Sequence, residues 1–212
     1  MKIKALAPAL AGAALLAGCG GVFQSHERAA LVYELRAGAV EPAAVQVAAT
    51  LVVAPPRVRP GLDTDRIAVT LGDRRLDAYA GARWSAPLGR LVEDLLLEGL
   101  RASGGWQAVL PERDAFAGRY LLETEIVEFE ADYGAGAVPT VRVSLAGELG
   151  LGRERRLIAS VAGSAAVPAA ADRQREVTAA FESAYRQAAA QLIAATQAAA
   201  LAAERAGPAA AR

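Results

Sequence analysis

Along residues 140–151 the chain alternates: Val141, Val143, Leu145 and Leu149 fall on one face of an extended strand, and Arg142, Ser144 and Glu148 on the other. A period of two buries one face, wets the other and is incompatible with a helix. Residues 120–130 and 156–167 flank this stretch as two more long strands, so the second half of the chain must make a sheet whose apolar face needs a cover. Two helical patterns supply it. Leu88, Leu91, Val92, Leu95, Leu96 and Leu100 recur at helical spacing opposite Arg90, Glu93, Asp94 and Arg101; Pro87 suits the first turn and Ser103-Gly104-Gly105 stops the helix. A second helix is predicted from a cap at Asp172 to about residue 204, with Phe181, Tyr185, Ala188 and Leu192 as its stripe and an alanine-rich later half that extends beyond the core. The fold class expected is α/β of the α+β kind: a single domain in which two long helices pack on one layer of mostly antiparallel sheet.

The remaining elements are shorter. Residues 31–35 and 45–54 read as strands, the second ended by Pro55-Pro56, and residues 57–64 as a loop. Residues 66–71 and 74–79 read as a hairpin turning at Gly72-Asp73, after which Gly81-Ala82-Arg83-Trp84 leads into the first helix. Residues 106–110 suit a short strand and 111–118 a loop. In the strand 120–130, Tyr120, Leu122 and Ile126 share one face while Val127 and Phe129 share the other, which requires a bulge or two covered faces.

Composition narrows the chemistry. Hydrophobic residues are 54% of the 212, yet aromatics are only 5%, so the core is built mainly from Leu, Val and Ala. Cys19 and His26 are the only residues of their kinds and both lie near the N-terminus. An intramolecular disulfide, a Cys/His zinc site and a Ser-His-Asp triad are therefore excluded from the folded domain. No lysine follows Lys4. An all-arginine chain suits guanidinium recognition of phosphate or carboxylate, and it equally follows from a GC-rich genome.

The first residues carry the sharpest signal. Met1-Lys2-Ile3-Lys4 is a positive start, and residues 5–16 are an apolar run too short to span about 30 Å of hydrocarbon, so they read as a secretory leader. Leu16-Ala17-Gly18-Cys19 resembles the bacterial lipobox, with Cys19 as the acylated residue, and acylation accounts for a lone thiol in an oxidising compartment. Several acyl chains, at roughly 0.8 kcal/mol per buried methylene, would hold such a protein to a membrane permanently. The leader takes Lys2 and Lys4 with it, so the 23 basic residues become 21 against 23 acidic, and nucleic acid is not an expected partner. Gly20, in place of the aspartate that retains lipoproteins at the inner membrane, favours the outer membrane of a Gram-negative bacterium, with the domain facing the periplasm. The expected organisation is a signal peptide at 1–18, a lipidated flexible linker at 19–30 that includes His26, a domain at 31–205 and a disordered tail at 206–212.

Carboxylates are the only candidates for catalysis. Glu123 with Glu125, and Glu128 with Glu130, stand at alternate positions, the first two expected on one face and the last two on the other; an exposed strand face explains them with fewer assumptions. Asp63, Asp65 and Asp73 surround the first hairpin without matching a calcium loop, and turn chemistry accounts for them better. Arg83 beside Trp84 has two readings: an interface anchor, or an indole packed under the helix start with its arginine in solvent. No catalytic residue, metal site or cofactor is assigned, and the chain is expected not to be an enzyme.

Several stretches together, Leu62-Asp63, Arg66-Ile67-Ala68, Leu76-Asp77-Ala78-Tyr79, Ala82-Arg83-Trp84-Ser85-Ala86-Pro87-Leu88 and Ser103-Gly104, resemble the ABC-type transport auxiliary lipoproteins, the PqiC-like family. Tyr120-Leu121-Leu122 through Phe129-Glu130 is similar to the family's later strand. The resemblance implies a non-catalytic outer-membrane lipoprotein that assists an ABC transporter and an MCE-domain periplasmic protein in moving lipid between membranes. On that reading Tyr79, Arg83 and Trp84 are the candidate partner interface, and self-association would be natural if the partner is a ring. Two alternatives are carried: a direct lipid carrier, which needs an apolar cavity, and a carboxylate-dependent hydrolase, which needs convergent acids in a cleft.

Overall fold

The structure, a computed structural model, describes residues 30–207 apart from 74, 115–117, 135, 153 and 155. The leader, Cys19 and the lipobox residues Leu16, Ala17 and Gly18 lie outside the described residues. In chain order the elements are β1 (Leu31–Tyr33), β2 (Val47–Val53), β3 (Arg57–Val58), β4 (Arg66–Thr70), β5 (Leu76–Trp84), α1 (Leu88–Ala102), β6 (Trp106–Pro111), β7 (Tyr120–Asp132), β8 (Thr140–Leu151), β9 (Arg156–Pro168) and α2 (Gln174–Ala206).

Strand β7 is the spine of the sheet. One edge pairs antiparallel with β8, from Tyr120 opposite Leu151 to Asp132 opposite Thr140, and β8 pairs antiparallel with β9. Its other edge is divided among three parallel partners: β2 at Tyr120–Leu122, β3 at Glu125–Ile126 and β4 at Ala131–Asp132. β6 extends the sheet beyond β2 in parallel; β5 pairs antiparallel with β4, and β1 lies parallel to β5. The α+β class and the long antiparallel ladders match the sequence, but the sheet is mixed. The parallel pairings join strands far apart in sequence, which local alternation does not encode.

Both helices lie on one face. Val141, Val143, Leu145 and Leu149 of β8 are at most 1% exposed on that side. α2 runs close over β9 because position 163 is glycine: a Cβ there would run into the Ala188 carbonyl oxygen. Trp84, Phe129 and Phe181 form the centre of the core, with Trp84 edge-on to the two phenylalanines at 6.0 and 5.2 Å between centroids and those two stacked at 5.3 Å.

Several local expectations are corrected. Residues 57–58, expected in a loop, form β3 by pairing with β7. β5 continues through Trp84, so Gly81-Ala82-Arg83-Trp84 is strand, with Gly81 at φ +68° where the ladder shifts register. The β4–β5 turn is longer than Gly72-Asp73, because the Leu71 N–H donates to the Arg75 carbonyl. Asp172 does not cap α2; Tyr133 Oη donates to it at 2.5 Å, and α2 starts after an extended Arg173 with no side-chain cap. The alanine-rich half of α2 stays in the core as far as Ala200. No described helix is long and apolar enough to cross a membrane.

Candidate docking surface

The residues singled out on β5 do not form one patch. Trp84, 1% exposed, points into the core, while its neighbour Arg83 points out and pairs with Asp65 at 3.0 Å. Of the two readings of this pair, the geometry corresponds to the packed one. Tyr79 is half-buried and its hydroxyl lies 2.7 Å from that of Tyr133. The resulting chain, Tyr79 to Tyr133 to Asp172, ties β5, the end of β7 and the entry to α2 together, and burial with these hydrogen bonds holds the Tyr133 phenol well above its ordinary range. Asp73 accepts a hydrogen bond from the Arg75 N–H, the turn role expected of it.

The four glutamates of β7 are arranged differently from the expectation. A bulge between Ile126 and Glu128 resets the alternation, so Phe129 and Ala131 rejoin the buried side. Glu123, Glu125, Glu128 and Glu130 consequently share the face away from the helices, not two opposite faces. The signal was in the sequence: acids at 123, 125, 128, 130 and 132 skip one step between 125 and 128. β8 adds Glu148, directly opposite Glu123, and Arg142, opposite Glu130. Arg57 and Arg59, at and just after β3, complete the face and were missed because they lay in a supposed loop.

This face is open and shallow, with charged side chains interspersed among small and apolar ones. A cleft of about 410 Å³ is lined by Arg59, Leu76, Glu128, Glu130, Asp132 and Arg142 among others, and a second depression lies over Glu123, Glu125, Ala146 and Ser160. Arg142 holds Asp132 at 2.9 Å, and Asp132 also accepts from the Gly134 N–H at 2.7 Å. That N–H first, then the guanidinium, keeps the Asp132 carboxyl below its usual range. Glu130 is 8% exposed; Arg59 stands 3.5 Å from its Oε2, which has no hydrogen bond. Among the described residues no three His, Cys, Asp or Glu side chains converge closely enough to hold a metal ion. Spread acids on an open sheet do not enclose a small molecule.

Comparison with known proteins fixes the family. The family model described as "ABC-type transport auxiliary lipoprotein component" matches residues 33–193. No curated protein matches. Among solved structures, the chain is similar to a Xanthomonas campestris protein of family DUF330, at TM-score 0.75 and 27% identity over 82% of this chain and 98% of that one. It also resembles a hypothetical protein of Chlamydia trachomatis, at TM-score 0.53 and 10% identity over 74% of this chain and 99% of that one, a likeness of fold. With most of its length matched by that model, this chain belongs to the ABC-type transport auxiliary lipoprotein component family.

Proposed function

We propose that this protein is an outer-membrane-anchored periplasmic lipoprotein, acylated at Cys19, that serves an ABC/MCE-type lipid transport system as a non-catalytic part and acts by docking to the MCE-domain partner. The family match over residues 33–193 carries the reading. The leader and lipobox support the anchor, Gly20 supports the outer membrane, and the open sheet face supports contact over cargo binding: a carrier would present an enclosed apolar cavity, whereas the clefts over β7 and β8 are open and lined by Glu and Arg among small and apolar residues. Tyr79 and Arg83 remain candidate partner contacts, and Trp84 acts at one remove, by fixing the junction of β5 and α1.

A crosslinking pull-down of the acylated chain from intact cells tests this, with bound proteins and lipids identified in one eluate. Docking predicts an MCE-domain protein together with no lipid beyond the chain's own acyl groups. Free phospholipid copurifying without a transporter component would replace docking with the carrier reading. The intact mass of the same sample reports whether the chain begins at an acylated Cys19.

A further inference from the structure

We propose that the helix-free face of β7 and β8 is the docking surface and that it receives a basic protein surface, one that presents arginine or lysine side chains. This rests on the docking reading above and adds the surface and the chemistry of its partner.

Charge is the first argument. Glu123, Glu125, Glu128, Glu130, Asp132 and Glu148 share the face with Arg57, Arg59 and Arg142, six acids against three bases, spread over roughly 30 Å of strand. Two of the bases are already engaged, Arg59 with Glu130 and Arg142 with Asp132. Glu123 and Glu148 are directly cross-strand, where like charges repel, and Glu125 is the next outward residue on the same strand. A sheet needs no such arrangement for its own stability; a face that meets a cationic surface does.

The burial of Glu130 adds a geometric observation to the charge. Glu130 has a side chain only 10% exposed, its Oε2 lacks a hydrogen bond, and it lies in the wall of the 410 Å³ cleft beside Glu128. The Arg59 guanidinium stands 3.5 Å from that oxygen without hydrogen-bonding it, so the charge is offset while the hydrogen bond is still lacking, and a further N–H donor entering this cleft would supply it. The acids are too dispersed for a metal ion among the described residues, so a row of cationic side chains fits the spacing where a single ion does not. Small neighbours, Ala146, Ser144 and Ser160, leave the carboxylates accessible to a flat partner.

The test is site-specific photocrosslinking of the full acylated chain in cells. The crosslinker is placed at Ala146 or Ser160 on this face, and at Gln187 or Ala198 on the exposed side of α2. The expected result is adducts with the MCE-domain protein from positions 146 and 160 only, falling about tenfold in Glu148→Arg. That variant places an opposite charge beside Glu123, so its melting temperature should not fall, which separates a lost contact from a lost fold. Should it fail to fold, Glu148→Gln and Glu130→Gln carry the same comparison. Adducts with that protein from the α2 positions alone would overturn the surface and leave docking standing. Adducts only between copies of this chain would overturn the surface in favour of self-assembly, and adducts with neither would overturn both readings.

Discussion

At the scale of single residues, β5 shows how one step along a strand separates structure from surface. Trp84 contacts Phe129 and Phe181 in the core, and Arg83 reaches water with only a half-exposed Asp65 as partner. Trp84→Ala should cost about 3–5 kcal/mol in denaturant unfolding, through lost burial and the cavity left behind. Arg83→Ala should cost no more than about 1 kcal/mol, because an exposed ion pair contributes little. Any larger effect of Arg83 on partner binding than on stability would mark it as a contact residue. Gly163 is a second such position: Gly163→Ala puts a methyl against the Ala188 carbonyl and should force α2 off β9, which is read as a lowered midpoint of cooperative unfolding.

Among the elements, α2 depends on its far end as well as its stripe. Tyr120 Oη donates to Glu204 at 2.7 Å, and Arg119 pairs with the same carboxylate at 3.2 Å, so the last turns are pinned to the start of β7. Burial first, then the hydrogen bond to Glu204 and its charge, push the Tyr120 phenol up to about 12 from 10.0. Between those two pH values the unfolded chain releases this proton and the folded chain keeps it, so stability present below pH 10 is lost as pH rises towards 12. Tyr120→Phe should lower neutral stability by about 1–2 kcal/mol and make the alkaline decline shallower, measured by unfolding across the range. Legibility in the sequence follows from how local each element's cause is. α1, β8 and β9 were readable because their own periodicity determines them. β3 was not, since two residues become strand only through β7, and the parallel partners of β7 were hidden for the same reason. The acidic face was misassigned because one bulge reverses every later side chain, although the skipped step in the spacing of the acids marked where it occurs.

The whole molecule is two-layered: helices and core on one side, an open sheet face on the other, and, on our proposal, a lipid anchor at its start. That division would leave the sheet face available while the anchor fixes position, and it needs no enclosed cavity and no catalytic group. Electrostatic docking of this kind weakens as salt shortens the Debye length from about 10 Å at 0.1 M to about 3 Å at 1 M. The most direct measurement is therefore reconstitution: purified acylated chain in detergent, mixed with the purified MCE-domain protein and followed by light scattering on a sizing column at both salt concentrations. The account predicts a joint peak at low salt that separates at high salt, with no phospholipid bound to this chain. Separate elution at low salt, with phospholipid travelling with this chain, would contradict it.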